Sequence, residues 1–207
     1  MATNISIDLG KLTDWLTAVG TIAVAVMAIW GDKFRDLFAG PRLVLEPKNF
    51  KGELTHFSNG PSVIYYHLSV KNKRPWSSAK NVRILLVGIL KKKADGNFYR
   101  ANVFVPQQLT WAPAESHPMF PMISKEDTAD FGFLVEKKFR ICTYGTPNNF
   151  EGHISANSTM RVELEIVADN FISRKYDVFE ISWDGVWTDN LGEMEKHLVI
   201  KQINDKK

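Results

Sequence analysis

The chain has 207 residues, a formal net charge of +3 and one cysteine. That charge is too small to indicate a nucleic-acid-binding protein, and one cysteine excludes an internal disulfide, as is typical of a reducing compartment. The content of 44% hydrophobic and 24% charged residues predicts a folded rather than a disordered protein. We expect Cys142 to be a small packed side chain in a strand.

An uncharged apolar stretch, residues 15–31, lies near the start of the chain. As a helix it would rise about 25 Å, enough for a thin bilayer, and Trp15 and Trp30 bracket it as interfacial anchors do. A cleaved signal peptide is one alternative, although the preceding segment is not basic; a core or interfacial helix is another. We therefore predict that residues 1–40 form an amphipathic lead-in and a transmembrane helix spanning about 15–31.

Positive charges are more frequent after this stretch than before it. Lys33, Arg35, Arg42 and Lys48 follow the stretch, whereas only Lys11 precedes it. The positive-inside rule therefore predicts that the N-terminus lies outside and that the C-terminal domain is cytoplasmic. The inverted, envelope-facing topology is the alternative.

Small residues follow one side of the predicted helix. Such a face lets helices approach closely in lipid, so it predicts self-association. The alternative is that alanine and glycine simply make up a weakly apolar helix. The residues of this face are Thr17, Thr21, Ala25 and Ala28.

From residue 42 onward the apolar residues alternate with a period of two, as in half-buried strands. No helix is expected after residue 40, and residues 47–61, 106–127 and 145–158 are expected to be loops. The pattern predicts a mainly β protein, in which residues 41–207 form an antiparallel β-sandwich or a β-barrel. The predicted strands are 42–46, 62–71, 81–90, 98–105, 128–136, 138–144, 159–168, 176–183 and 198–203.

One segment, LSVKNKRPWSSAKNVRILLVGI, resembles a strand pair that is common in bacterial immunoglobulin-like domains. In that pair a strand ends at an asparagine, a loop follows, and an Ala-x-x-Val enters the next strand. The matching residues here are Asn72, Ala79 and Val82. The resemblance implies an immunoglobulin-like sandwich.

The chain contains no recognisable catalytic signature. Its five histidines do not pair at helical or strand spacing, there is no Cys/His cluster, and neither a phosphate loop nor a serine elbow occurs. We therefore expect no metal site, no cofactor and no enzymatic activity. Trp183 ends an apolar alternation and is expected in the core.

Basic residues cluster at predicted strand ends and loops, with aromatic residues near two of the clusters. Cationic side chains beside aromatic rings can hold phosphates and stack bases, so a nucleotide or oligonucleotide site is one interpretation. Contact with anionic lipid headgroups and simple solubilisation are the alternatives. The candidate ligand-binding residues are Lys73, Arg74, Trp76, Lys91, Lys92, Lys93, Lys137, Lys138 and Arg140.

A single N-terminal span joined to a cytoplasmic β domain resembles bacterial anti-phage membrane effectors in layout, length and helix character. Members include β-barrel effectors of cyclic-oligonucleotide systems and the channel subunits of Hailong-type systems. The resemblance implies a homo-oligomer, such as a tetramer, that forms an ion channel or pore in the bacterial inner membrane. It also implies that the β domain binds a nucleotide or DNA oligomer made by a partner nucleotidyltransferase. Thr17, Thr21, Ala25 and Ala28 would face the pore, and Lys33 and Arg35 would ring its cytoplasmic mouth.

A second class of function fits the same layout. In it, the immunoglobulin-like domain is an adaptor that binds a protein partner, and the helix only tethers it to the lipid bilayer.

Overall fold

A computed structural model of the chain describes residues 9–56, 60–101, 105–113, 117–135 and 137–203. The chain forms two compact units, Met1–Gly40 and Pro41–Lys207, which we name the N-terminal unit and the β unit.

The N-terminal unit contains one long helix, α1 (Leu9–Ala39). Its 31 residues rise about 47 Å, and it extends beyond both ends of the predicted span. The segment Thr13–Gly31, with a mean hydropathy of 1.5, is long and apolar enough to cross a membrane, and none of it is buried. Residues 1–8, which include part of the predicted amphipathic lead-in, lie outside the described residues.

The β unit contains two antiparallel sheets, as the alternating pattern predicts. The first has the order β1-β2-β6-β7-β8, and the second has the order β12-β11-β9-β3-β4, with β5 paired to β3 and β10 paired to β9. The strands of the first sheet are β1 (Leu43–His56), β2 (Ser62–Asn72), β6 (Glu126–Val135), β7 (Lys138–Ile141) and β8 (His153–Ile154). Those of the second are β3 (Arg83–Lys92), β4 (Phe98–Ala101), β5 (Gln107–Gln108), β9 (Ser158–Ala168), β10 (Phe171–Ile172), β11 (Asp177–Trp183) and β12 (Leu198–Ile203).

The two sheets pack face to face around one hydrophobic core, to which both contribute. Along β9, buried and partly exposed residues alternate from Met160 to Ala168, as expected for a strand with one covered face. The Phe131 ring of the first sheet lies 5.3 Å, centroid to centroid, from the Phe179 ring of the second. Trp183 and Cys142 are buried, as predicted, although Cys142 lies one residue beyond β7 rather than in a strand. Burial raises the pKa of the Cys142 thiol.

The predicted loop 47–61 is wrong over most of its length, because β1 continues to His56. Its register against β2 shifts twice, between Pro47 and Asn49 and between Asn49 and Glu53. These bulges interrupt the alternation that identifies a strand in a sequence. Gly52 lies in the second one with φ +85°, where a Cβ would clash with Ile64 Cγ2.

The prediction of no helix after residue 40 is also wrong. A short helix, α2 (Leu191–His197), begins after Asn190, whose side chain accepts hydrogen bonds from the backbone N–H groups of Gly192 and Glu193. Its buried Met194 anchors it to the core. Seven residues give too few turns for a helical period to stand out from the sequence.

Smaller differences concern strand ends. The predicted strand 98–105 is described as β4 only to Ala101, and residues 102–104 lie outside the described part of the chain. The predicted strand 138–144 ends at Ile141. The predicted loops 106–127 and 145–158 contain the two-residue strands β5 and β8.

The surroundings of the Asp177 carboxyl, at the start of β11, disfavour its ionised form. Burial raises its pKa to about 6, and a hydrogen bond from Gln202 opposes that shift only in part. Because the pKa is raised only in the folded state, ionisation of Asp177 lowers the free energy of unfolding. This loss of stability is absent below about pH 4 and complete above about pH 6.

We therefore expect Asp177→Asn to stabilise the protein by about 1 kcal/mol at pH 7.5, after allowance for the partial exposure of this group. At pH 4 the same variant should have the same free energy of unfolding as the unmodified protein. Urea unfolding at both pH values measures the difference. Asp189→Asn, at an exposed position, is the control, and an equal gain at both pH values for Asp177→Asn would contradict the assignment.

Candidate functional site

The predicted ligand-binding residues lie at two opposite ends of the β unit. Lys73, Arg74 and Trp76 occupy the loop between β2 and β3, at the end where the chain enters the unit, since Leu43 pairs with Asn72. Lys91, Lys92 and Lys93 lie about 30 Å away, at the other end of the ten-residue strand β3. We name these the entry end and the far end.

The third basic cluster lies with the far end. Lys137 and Lys138 form the turn into β7, and Arg140 pairs with Phe133 across the first sheet. The strand β8 next to β7 leads within four residues to the start of β9, where Met160 pairs with Lys91. The nine residues therefore do not converge on one site.

Several of these cations, and the neighbouring Lys71, have partners within the protein. Lys71 and Lys73 both bond the Glu46 carboxylate, at 2.8 and 2.7 Å, and these hydrogen bonds lower the pKa of Glu46 to about 2. The Lys93 ammonium lies 5.5 Å from the Tyr99 ring centroid. These contacts tie the side chains to neighbouring strands and need no ligand.

A groove of about 750 Å³ lies on the outer face of the first sheet, where β1, β2 and β6 run side by side. The sequence did not single out this region. Its lining residues are Lys48, Glu53, Leu54, Thr55, His56, Tyr65, His67, Ala112, Pro113, Thr128 and Asp130.

At the centre of the groove, His67 lies between two carboxylates. Its Nδ1 is 2.9 Å from Asp130 Oδ1 and its Nε2 is 3.5 Å from Glu53 Oε2. The Nδ1 contact is electrostatic rather than an aligned hydrogen bond. The Tyr65 ring stacks on the imidazole with ring planes 7° apart and centroids 6.2 Å apart.

A bulge in β6 creates this arrangement. The register between β2 and β6 shifts between Tyr66 and His67, so that Tyr66 pairs with Gly132 but His67 pairs with Asp130. Strict alternation would turn Asp130 inward with Gly132 and Leu134; the shift places it on the outer face instead. Bulges next to functional sites commonly redirect a side chain in this way.

The second wall of the groove is formed by Lys48 of β1, Thr128 of β6 and the segment before β6. The Lys48 ammonium bonds Thr128 Oγ1 at 2.5 Å, and the cis peptide Ala112–Pro113 contributes backbone and apolar surface. Next to it, His117 Nε2 lies 3.2 Å from Asp127 Oδ1.

Apart from its histidines, the groove carries the charges of Glu53, Asp130 and Lys48, which favour a cation over an anion. Burial, more than the nearby Cys142 and Asp130, raises the pKa of Tyr65, so its hydroxyl stays protonated and can donate a hydrogen bond. The groove can therefore offer carboxylates, a hydroxyl donor and a stacked aromatic pair to one ligand. Among the described residues, no group of three or more His, Cys, Asp or Glu side chains could hold a metal ion.

In the N-terminal unit, the predicted association face is exposed on α1. The hydroxyls of Thr17 and Thr21 donate to the carbonyl oxygens of Thr13 and Thr17 in their own helix, each at 2.8 Å. Their polar hydrogens are thus satisfied without a second helix or a water-filled lumen. Lys33 and Arg35 lie in α1, but their side chains lie outside the described part of the structure.

No protein-family model, no curated protein and no solved structure matches this chain.

Two signals in the sequence could have pointed to the groove. His67 is the one histidine in a strand whose other residues before Lys71 are apolar, aromatic or serine, and Asp130 is charged within the apolar segment ADFGFL. Their 63-residue separation and the bulge that brings them together are not visible in a single sequence.

Proposed function

We propose that this protein is a single-span membrane protein whose β unit is an immunoglobulin-like recognition domain that binds a cationic segment of a partner protein. The observation that carries the proposal is the pair of carboxylates, Glu53 and Asp130, on either side of His67 in an open groove.

The strand order supports the immunoglobulin-like assignment. The neighbours β1-β2-β6 in the first sheet and β3-β9-β11 in the second reproduce the A-B-E and C-F-G neighbours of immunoglobulin sandwiches. Asn72, Ala79 and Val82, which carry the sequence resemblance, are all buried around the connection from β2 to β3. The additional strands β7, β8 and β12 extend this common core.

Membrane attachment is supported by the length and hydropathy of Thr13–Gly31 and by the absence of buried residues in it. The excess of basic residues after the span favours a cytoplasmic β unit. Since both threonine hydroxyls of the association face are satisfied within α1, the helix can lie in lipid as a single span.

The chemistry of the groove favours a lysine or arginine side chain as the group recognised. An ammonium or guanidinium that reaches the Glu53 or Asp130 carboxylate beside His67 would form charge-assisted hydrogen bonds, which are stronger than neutral ones. The stacked pair of Tyr65 and His67 would cover the aliphatic part of such a side chain. Thr55 and Thr128 supply further polar atoms at the margin.

Glu53→Gln should weaken binding of a Lys/Ser-alternating peptide about tenfold, because a charge-assisted bond becomes a neutral one. The full-length protein in nanodiscs of zwitterionic lipid, titrated by calorimetry, gives the affinity. The matched peptide with glutamate in place of lysine should not bind.

Glu165→Gln is the control for that experiment, since Glu165 is a partly exposed carboxylate on β9 of the other sheet. Its affinity for the lysine peptide should equal that of the unmodified protein. Equal loss in both variants, or preference for the glutamate peptide, would refute a cation-binding groove.

A second candidate function is the oligomeric effector, in which helices associate into a channel or pore and a nucleotide or oligonucleotide bound by the β unit controls it. The exposed small-residue face of Thr17, Thr21, Ala25 and Ala28 favours it. Cross-linking of the full-length protein in bacterial inner membranes separates the two: a strictly monomeric protein excludes the pore and leaves the tethered adaptor.

A further inference from the structure

The entry end of the β unit exposes large apolar side chains on three separate loops. Trp76 is 73% exposed in the loop after β2, Met122 is 64% exposed in the loop before β6, and Ile172 is 67% exposed in β10. Phe120 is also exposed, beneath the Arg83 guanidinium at 5.9 Å. Single exposed apolar residues are common, but several on one end indicate a binding surface.

Hydrogen bonds hold these loops to one another. Ala79 and Ile123 exchange backbone hydrogen bonds at 2.8 and 2.9 Å, which joins the first loop to the second. The Asn170 side chain accepts from the Lys80 N–H at 3.2 Å and donates to the Ser78 carbonyl at 3.0 Å, which joins the first loop to the third. The apolar residues therefore project from a connected surface rather than from independent loops.

The same end concentrates positive charge. Residues 41–42, 73–83, 118–126 and 169–176 contain eight basic side chains and two acidic ones, Glu126 and Asp169. These ranges carry a formal charge of +6, from eight minus two, or +5 when the Glu46 carboxylate that bonds Lys73 is included, although that of the whole chain is only +3. The basic residues are Arg42, Lys73, Arg74, Lys80, Arg83, Lys125, Arg174 and Lys175.

We infer that the entry end is a membrane-docking surface, which places its apolar residues in the interfacial region of a bilayer and its basic residues against anionic headgroups. Tryptophan is the side chain that favours this region most clearly, and basic residues beside it are attracted by anionic lipid.

Chain connectivity supports a bilayer as the occupant. The candidate span ends at Gly31 and the β unit begins at Pro41, so only the nine residues 32–40 separate them. The inference rests on the proposed membrane attachment, and it adds that the β unit binds lipid directly, apart from its anchor.

The test uses the full-length protein with Cys142 replaced by serine and one new cysteine, Met122→Cys or Ile172→Cys, that carries an environment-sensitive fluorophore. The protein is reconstituted into phosphatidylcholine vesicles, with or without about 30% phosphatidylglycerol. Neutral acrylamide in the aqueous phase measures exposure of the label. Val186→Cys, at an exposed far-end position, is the control site.

We expect anionic lipid to lower acrylamide quenching at positions 122 and 172 about threefold and to leave position 186 unchanged. Lys80→Glu, Lys125→Glu and Lys175→Glu together should abolish this protection. The matched far-end reversal, Lys91→Glu, Lys92→Glu and Lys93→Glu, changes the net charge equally and should retain it.

Equal quenching in both vesicles, or equal protection at position 186, would overturn docking through this surface. If the entry end binds a protein partner instead of lipid, quenching should be equal in both kinds of vesicle. Flotation of the protein with neutral vesicles separately tests the anchor. If the protein floats with the vesicles but its label is still quenched, the membrane anchor is supported and the docking surface is refuted. If the protein does not float, the proposed membrane attachment itself is refuted.

Discussion

Asn72→Ala should lower the free energy of unfolding of the β unit by about 3 kcal/mol, because one buried side chain provides four hydrogen bonds. Its Oδ1 accepts from the N–H groups of Arg42 at 3.1 Å and Arg74 at 3.0 Å. Its Nδ2 donates to the carbonyl oxygens of Ser77 at 2.7 Å and Ile123 at 3.4 Å. Alanine would leave these four backbone groups without that partner, and some of them are buried.

The position of Asn72 lets its side chain bond several backbone segments, which a smaller side chain could not reach. It is the last residue of β2, it is 6% exposed, and the groups it bonds belong to three segments of the entry end. Those segments are the start of the β unit, the turn that carries Trp76 and the loop that carries Met122. Loss of the amide should therefore loosen the proposed docking surface as well as the sandwich.

Urea unfolding of the full-length protein in mild detergent, followed by pulse proteolysis, measures the stability change. Asn72→Asp separates the two halves of the amide, since it keeps the acceptor for Arg42 and Arg74 but loses the donor. We expect a loss at least as large as that of Asn72→Ala, because the second carboxylate oxygen would face the carbonyl oxygens of Ser77 and Ile123. A change below about 1 kcal/mol for Asn72→Ala would mean that the side chain does not organise this end.

Regular alternation made much of the β unit predictable from sequence. The segments 62–71, 159–168 and 198–203 lie almost entirely within strands β2, β9 and β12, because each has one covered face and the period of two follows directly. Where bulges break the period, as in β1 after Pro47, the same reasoning predicts a loop. The errors therefore occur where the backbone departs from regular geometry.

The site was less predictable than the fold for the same reason. Clusters of basic residues are visible in a sequence, and they predict a ligand-binding site at Lys91–Lys93 and Lys137–Arg140. The groove instead depends on Glu53, which follows one bulge, and on Asp130, which lies beside another. Neither position can be assigned to the outer face until the register of each strand is known.

The two candidate surfaces of the β unit differ in charge, and this separation has a functional consequence. The entry end is basic, whereas the groove carries two carboxylates, so an anionic bilayer and a cationic partner would not compete for the same side chains. Docking through the entry end would leave the outer face of the first sheet available to a soluble partner. Added salt should weaken both contacts, because each depends on charge.

Phe131→Ala should cost about 4 kcal/mol of folding free energy, the larger of the two stability effects, because it opens a cavity between the sheets. The Phe131 side chain is fully buried. Its ring lies 5.3 Å from that of Phe179 and 6.0 Å from that of Phe50, centroid to centroid. It thus joins β6 of the first sheet to β11 of the second.

Phe133 provides a matched control two residues further along the same strand. Without the bulge, residues 131 and 133 would share one face of β6; with it, Phe131 lies in the core and Phe133 lies partly exposed beside Tyr65, with ring centroids 5.4 Å apart. We expect Phe133→Ala to cost only about 1 kcal/mol, since it removes a surface ring contact.

Chemical unfolding of both variants measures this contrast, with near-ultraviolet circular dichroism to confirm a folded starting state. Similar losses in the two variants would show that the bulge between Tyr66 and His67 is absent. In that case Asp130 would not lie on the outer face against His67, and the cation-binding groove would fail with it. The comparison therefore tests the register on which the proposed site depends, without any knowledge of the ligand.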